Sequence, residues 1–520
     1  MAGAAQSHAV PGFRRNMVTI CAMTATIMQA LDTTIANVAL PYMQGSLSAS
    51  QDQINWVLTS YIVAAAIMTA PVGWIANRFG RKRIFIICSA GFTIASVMCG
   101  LAQDITQMVV FRLLQGVFGA ALVPLSQAVM LDSYALHERA KAMSIWGMGV
   151  MMGPIMGPSL GAWLTETYSW HWVFFVNLPF GAITVLGLAM FMDETDKNQE
   201  LKFDWFGFAA LAVGIGAMQL ALDRGEQLDW FNSPEIIIES IVSVVGFYYF
   251  FAHSFTTERP FIQFAIFKDR NFVGGVVFMT VMGLVLFSTM ALSSPFLQNV
   301  EGYPIMTAGL LLASRGCGTF VAMMIVGRIM RYIEARTLIA TGLSLTCASL
   351  YVMTGWTDQT SVSSVVVTSI IQGFGFGLVF VPLSTVAFMT LPGQLRTDGT
   401  AMLTLVRNVA SSVGISVVIA KLSSGTTTAH SILTEHINPF NNALQMPNVT
   451  GMIDLSTTTG KAMMDAIVTM QAQIIAFSHD YAMVMFLTAA AVPMAIIIGS
   501  TKAALRKQSE APADHAAVME

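Results

Sequence analysis

Residues 107–131 read QMVVFRLLQGVFGAALVPLSQAVML, and residues 362–386 read VSSVVVTSIIQGFGFGLVFVPLSTV. Each run is long and apolar enough to cross a bilayer, which takes about 20 mainly apolar residues. Both carry one pattern: Gln115-Gly116 leads to Val123-Pro124-Leu125-Ser126, and Gln372-Gly373 leads to Val381-Pro382-Leu383-Ser384. The pattern recurs at an offset of 257–258 residues, and a weaker echo pairs Gly73-Trp74-Ile75 with Gly327-Arg328-Ile329 at an offset of 254. Such spacing inside a chain of 520 residues indicates two copies of one membrane unit.

Composition agrees. The chain is 55% hydrophobic and 11% charged, whereas soluble domains carry about 25% charged residues. A soluble protein is excluded. Apolar runs fall at about 17–40, 54–76, 84–102, 107–131, 140–164, 172–192, 204–222, 236–253, 272–295, 304–328, 337–356, 362–386, 400–422 and 480–501. The reading is an all-α integral membrane protein of 14 spans. Residues 1–200 form one six-helix bundle, 201–258 an inserted pair (spans 7 and 8), and 259–520 a second bundle with a long outer loop at 423–479. Paired bundles around a midplane site are the architecture of alternating-access carriers. The first run contains Asp32 and is too long for a cleavable signal peptide.

Charge placement tests the count. With the N-terminus inside, the cytoplasmic segments hold twenty of the 26 lysines and arginines, among them Arg14, Arg15, Arg78, Arg81, Arg83, Arg139, Arg259, Arg331, Lys502, Arg506 and Lys507. Lys and Arg concentrate on the cytoplasmic side, so both termini are expected there. The net charge of −3 gives no case for a nucleic-acid partner. The five cysteines, Cys21, Cys88, Cys99, Cys317 and Cys347, lie singly in apolar runs and read as packing residues. No phosphate-binding G-x-x-x-x-G-K-[ST] loop and no H-E-x-x-H zinc motif occurs. No cofactor, metal or enzymatic activity is therefore expected; an ion gradient is the remaining driver.

A charge within a membrane helix costs roughly 3 kcal/mol or more and marks function by default. Asp32 is read as the only acid well inside a span, and Arg112 lies in span 4 at a compatible depth, about 8 Å from its outer end against about 12 Å. Arg112 has Ser369 at its place in the second copy, so shared helix packing does not require it. Burial favours a neutral carboxyl and a neighbouring arginine favours a carboxylate, so an acid pulled both ways can exchange protons as its water access changes. Around Asp32, Gln29, Thr33 and Asn37 form a polar stripe expected to face the bundle interior rather than lipid. Gln115, Arg315 and Arg407 are further candidate cavity residues. Span 5 carries Gly149, Gly153, Pro154, Gly157 and Pro158, a small-residue face that permits close approach and kinking. The loop after span 2, with Gly73, Arg78, Gly80 and Arg81, is short and basic.

These residues together resemble the major facilitator superfamily drug/proton antiporters of the fourteen-span EmrB/QacA type. Leu31-Asp32-Thr33-Thr34-Ile35-Ala36-Asn37-Val38-Ala39-Leu40-Pro41 is similar to that family's first-span motif. Arg112, Gln115, Gly116 and Gly119 are similar to its fourth-span motif, and Gly153, Pro154, Gly157 and Pro158 to the span 5 motif of antiporters. Trp170-His171-Trp172-Val173-Phe174-Phe175-Val176-Asn177-Leu178-Pro179 resembles the start of its sixth span. Two positions depart: Asn77 stands where an aspartate is usual, and His171 where an arginine is usual.

The resemblance implies a proton-coupled exporter of small hydrophobic or amphipathic compounds in the inner membrane, with a role in multidrug efflux and antibiotic resistance. Asp32 and Arg112 would then couple protons, and the basic loop and span 5 would carry the conformational change. Span 10 has no acid and the second half embeds Arg315 and Arg407, which points to neutral, amphipathic or weakly acidic substrates in preference to dications. Residues 462–477 have helical spacing that fits either an outward extension of span 14, where a periplasmic adaptor and outer-membrane channel would meet it, or a plain loop. The same machinery would serve an exporter of one metabolite or siderophore, and the same fold a non-transporting receptor.

Overall fold

A computed structural model describes residues 12–497 apart from 136–137, 196, 199–201, 258–259, 331, 438–440 and 442–456. Arg259, Arg331, Lys502, Arg506 and Lys507, both chain ends and the middle of segment 423–479 lie outside the described residues.

With no water in the bilayer core, each backbone N–H and C=O must be satisfied within its own segment. The described residues accordingly form helices: α1 (Gly12–Ser46), α2 (Gln51–Thr69), α3 (Val72–Phe79), α4 (Arg81–Gly100), α5 (Ile105–Gly119), α6 (Leu122–Ser133), α7 (Arg139–Thr167), α8 (Trp172–Phe175), α9 (Asn177–Phe191), α10 (Trp205–Arg224), α11 (Pro234–Thr256), α12 (Arg270–Pro295), α13 (Ile305–Ile329), α14 (Ala335–Met353), α15 (Val362–Val386), α16 (Arg396–Glu435) and α17 (Thr458–Ala491). Polar residues close their N-termini. The Ser50 hydroxyl accepts from the Gln53 N–H, and the Asp104 carboxylate accepts from the Gln107 N–H at 2.8 Å.

Among the described residues, 12 helices are long and apolar enough to cross a membrane, or 13 counting α2 and α3 as one span bent by 56° at Pro71. α7, with 29 residues, occupies the remaining expected position. The fourteen expected runs thus each have a helix. Two boundaries need correction. α16 has 40 residues, about 60 Å at 1.5 Å per residue and about twice a hydrocarbon core. The segment 423–479 is therefore helical up to Glu435 and again from Thr458. The Ser/Thr-rich composition of 423–435 hides the first part from hydropathy, while the second matches the outward extension of span 14 read from the spacing at 462–477; His430 Nε2 meets Asp465 Oδ1 at 3.1 Å across the two. The earlier start of α17 also places Asp480 well inside a helix and only 3% exposed, so Asp32 is not the only embedded acid.

The serine of the repeated V-P-L-S pattern shows how the first half is knitted. Ser126 Oγ accepts from Thr26 Oγ1 at 2.7 Å and from Trp146 Nε1 at 2.9 Å, joining α6 to α1 and α7. The Trp146 ring in turn stacks on Phe380 of α15, with centroids 5.8 Å apart. α10 touches both halves: Thr59 donates to Asp223, and Ser416 Oγ donates to the Leu222 carbonyl at 2.7 Å. An apolar cavity of about 420 Å³ opens between α10, α11, α12 and α16, lined by Ile215, Phe250, Leu284, Leu405 and Val409 among others.

α7 is the seam. Gly149 faces Met23, Gly153 the Ala30 backbone, Gly157 Thr34 and Gly161 Ile35, one residue per turn against α1. The Thr34 hydroxyl donates to the Gly153 carbonyl at 2.9 Å. Elsewhere on α7, Gly147 faces Met323, and Ile155 and Ser144 fill the spaces left by Gly316 and Gly327 of α13. Small residues here allow backbone contact that larger ones forbid. Gly153→Val would drive a side chain into the Ala30 carbonyl; overpacking of this kind costs about 1–3 kcal/mol. The detergent-purified variant should show a clearly lowered thermal denaturation midpoint, whereas Gly45→Ala, with nothing within 4 Å, should not.

Candidate functional site

Five helices meet around one carboxylate. Asp32 and Arg112 are each 0% exposed, and Arg112 Nη1 donates to Asp32 Oδ2 at 2.7 Å. Gln115 Nε2 donates to Asp32 Oδ1 at 2.8 Å and Asn177 Nδ2 donates to the same oxygen at 3.0 Å. The carboxylate therefore accepts three bonds, from α5 twice and from α9 once. The guanidinium bonds through two of its three nitrogens, and its Nη2 has no hydrogen-bond partner among the described residues. Its Nη1 also donates to Gln115 Oε1 at 2.7 Å, and its Nε donates to the Val57 carbonyl of α2 at 3.0 Å. Its carbon lies 4.3 Å from the Tyr61 ring centroid and 5.7 Å from that of Phe174. Asn177 Nδ2 reaches Ser96 Oγ of α4 at 2.9 Å, and that hydroxyl donates to the Phe174 carbonyl at 2.9 Å.

Why these residues converge follows from local structure. Arg112 and Gln115 are three apart on α5 and share a face. Gly116, the next residue, rests against the Tyr61 carbonyl and lets α5 approach α2 closely enough for Arg112 to reach Val57. Asn177 opens α9, where a polar side chain sits at a helix start. A buried ion pair is tolerated when further hydrogen bonds offset the desolvation of its charges; here they come from Gln115, Asn177 and Val57, beside two aromatic faces, and leave Arg112 Nη2 and Asn177 Oδ1 without a hydrogen bond.

The polar stripe does not join the ion pair. At about 100° per residue, Gln29, Thr33 and Asn37 centre about a quarter turn away from Asp32, and the structure does not bring them to it. Gln29 Nε2 donates to the Tyr61 hydroxyl at 3.3 Å, Thr33 donates back to the Ala30 carbonyl at 2.8 Å, and Asn37 is exposed. Arg315 and Arg407 also stand apart, on α13 and α16. Arg315 Nη2 faces Ser293 Oγ at 3.4 Å, and Arg407 Nη2 faces Asn408 Oδ1 at 3.5 Å. Asn177, Ser96 and Tyr61 were missed. Asn177 stood within the sixth-span motif, but nothing in its spacing ties it to Asp32.

At the basic face a second cluster joins the halves. Asp132, at the end of α6, pairs with Arg81 of α4 and with Arg396 of α16, the latter at 2.5 Å. Arg81 Nη2 reaches the Gly393 carbonyl at 3.4 Å. Gly73 leaves the space that the Asp398 side chain of α16 occupies, and Gly80 adopts φ +94, a conformation that favours glycine. Arg78 lies over the Trp74 ring at 5.6 Å. The basic loop thus supplies both the cleft for Asp398 and one arm of the Asp132 bridge.

The Major Facilitator Superfamily profile matches residues 22–415. The chain belongs to that superfamily. It is 34% identical to the multidrug export protein EmrB of Escherichia coli (strain K12), over 84% of this chain and 86% of the relative. It is likewise 34% identical to the fatty acid resistance protein FarB of Neisseria gonorrhoeae, over 82% of this chain and 84% of the relative. Its fold is similar to that of the proton:xylose symporter XylE (TM-score 0.58, 14% identity, 94% of this chain and 97% of that one). It is also similar to that of the human organic anion transporter MFSD10 (TM-score 0.57, 13% identity, 92% and 100%). As a member of this superfamily the chain is a multi-pass membrane transporter.

His171, just before α8, stacks on Trp170 at 3.8 Å and shares a 3.2 Å hydrogen bond with Ser169. Burial pushes its imidazole below the ordinary value of 6.5, so the ring is neutral above that pH and takes a proton only below it. His171→Gln should leave the shape of a transport pH profile above pH 6.5 unchanged. Asp132→Asn removes one partner from two arginines and should loosen the basic face. Spin labels on α6 and α16 would then report a longer or broader distance distribution than in the native protein.

Proposed function

We propose that the protein is a proton-coupled efflux transporter that exports hydrophobic and amphipathic compounds by alternating access. The names of the similar EmrB and FarB support export of drugs or fatty acids. The observation that carries the coupling is the Asp32–Arg112 pair, sealed from water in this conformation. Residues 1–200 and 259–520 are the two moving bundles, and 201–258 is a pair inserted between them. Both termini face the cytoplasm of an inner-membrane protein, so the basic face with Asp132 is the cytoplasmic gate. No cofactor takes part, since the proton gradient supplies the energy. The extensions of α16 and α17 then project to the periplasm, where an adaptor protein leading to an outer-membrane channel would dock.

The coupling step follows from the cost of a lone buried charge. Neutralising one member of a buried pair leaves the other uncompensated, worth about 3–5 kcal/mol. Protonated Asp32 would leave Arg112 with the Val57 and Gln115 oxygens but no anion. That state is relieved by a rearrangement that lets water, or an anionic group, reach the guanidinium. Proton binding therefore favours the conformation that opens the site, and release favours the sealed one, as differential affinity requires. In the sealed conformation no proton exchanges.

Asp32→Asn keeps the shape and deletes the titrating group. In proteoliposomes under an imposed pH gradient, the variant should lose coupled transport by about a hundredfold or more, while remaining monodisperse and membrane-inserted. Normal coupled transport by that variant would overturn the assignment.

A further inference from the structure

The two halves place their arginines differently. Gly116 rests on the Tyr61 carbonyl, and Gly373, its partner in the repeat, rests on the Arg315 carbonyl. Tyr61 and Arg315 are therefore equivalent positions, at the same 254-residue offset as Gly73 and Gly327. A second pair of contacts fixes the register of α1 against α12. Gly157 faces Thr34, and Gly414 faces Ser288, which sets Leu286 at the place of Asp32. In the first half a cation on α5 lies over Tyr61 and meets its carboxylate. In the second half the cation sits where Tyr61 would be, and leucine replaces the carboxylate.

The polar groups that answer the anion in the first half have counterparts that answer nothing in the second. Ser369 and Gln372 stand at the places of Arg112 and Gln115, and both are fully buried. Among the described residues, the Ser369 hydroxyl and both amide atoms of Gln372 have no hydrogen-bond partner. Arg315 is 6% exposed, its Nε is buried without a partner, and it has no ion pair among the described residues. What it does have are two hydroxyls. Arg315 Nη2 lies 3.4 Å from Ser293 Oγ, and the Tyr481 hydroxyl donates to that same oxygen at 3.3 Å. Asp480, beside Tyr481, is not the missing counter-ion: it makes no ion pair with Arg315. The Trp356 ring lies 5.7 Å from that of Tyr481, with Phe296 5.4 Å beyond it, so the hydroxyls border an aromatic cluster.

We propose that Arg315, Ser293 and Tyr481 form an anion site in the second half, which takes the carboxylate of an amphipathic organic acid during export. An incoming carboxylate would supply the charge that Asp32 supplies in the first half, through charge-assisted bonds from the guanidinium. The aromatic cluster beside Tyr481 suits the apolar end of such a molecule. The word export rests on the function proposed above; the anion site itself does not.

The test compares two probes of one shape and different charge, 1-naphthylacetate and 1-naphthylacetamide. Their binding to the purified full-length protein in nanodiscs is measured by equilibrium dialysis at neutral pH. The wild type should bind the acid about tenfold tighter than the amide, the size of one charge-assisted bond. Arg315→Gln should bring the ratio close to one, and Arg315→Lys should retain part of the preference. If Arg315→Gln fails to fold, Ser293→Ala and Tyr481→Phe carry the test, each lowering the ratio several-fold. Equal binding of both probes by the wild type, or an unchanged ratio in Arg315→Gln or in both hydroxyl variants, overturns the proposal. Coupling is read separately: if Asp32→Asn still pumps while Arg315→Gln loses its acid preference, the coupling assignment falls and the anion site stands.

Discussion

A charge pair with no exposed surface, 2.7 Å across, sets the terms for the first half of this protein. Desolvating two ions costs several kcal/mol each, and their attraction recovers that only in good geometry with further polar groups answering the pair. The answers come from five helices: α1 supplies the acid, α5 the base and Gln115, α9 Asn177, α2 the Val57 carbonyl and α4 Ser96. None of these helices can shift far without leaving one of those groups unpaired. The bundle is thereby held to discrete arrangements rather than a continuum, which is the property a coupled carrier needs.

The second constraint lies at the basic face, where Asp132 is shared between Arg81 of one half and Arg396 of the other. Its physical link to the buried pair is a single span. α5 carries Arg112 and Gln115, and α6, which follows after only Ala120 and Ala121, carries Asp132. A displacement of that span moves both clusters. α7 provides the surface along which such motion can run, since its glycines put backbone rather than interlocked side chains against α1. Asn77, standing where the family usually has an aspartate, removes one charge from this face. Asp398, set into the Gly73 cleft from the opposite half, places a carboxyl group in the same neighbourhood.

The number of spans, the repeat and the Asp32–Arg112 pairing were legible in the sequence, because apolar length and embedded charge are properties of single segments. The contacts of Asn177, Ser96 and Tyr61 were not, because each depends on how distant helices pack and none belongs to a local period. The stripe of Gln29, Thr33 and Asn37 shows a different limit. The three do share a face, but Asp32 points about a quarter turn away from it, and helical periodicity alone does not say which groups of the bundle each face meets. The extension of α16 was hidden for a third reason. Hydropathy detects the bilayer, not the helix, so a polar helical continuation such as 423–435 looks like a loop. That error also put Asp480 at a span end when it lies mid-helix.

The repeat is most informative where its copies disagree. Both halves keep the Gln-Gly step, the close approach at that glycine and the buried glutamine, so the scaffold is common. What differs is the charge set: a carboxylate and an arginine in one half, an arginine without a carboxylate in the other. A half that contains its own anion can exchange protons without any ligand, because deprotonation restores a pair already in place. A half with an unanswered cation gains most from a ligand that brings the anion with it. If both halves carried the complete pair, proton and substrate would compete for two similar sites. On the functions proposed above, splitting the set would give the proton one bundle and leave the other free to select by charge, so that the motion between bundles, rather than direct competition, would transmit the coupling.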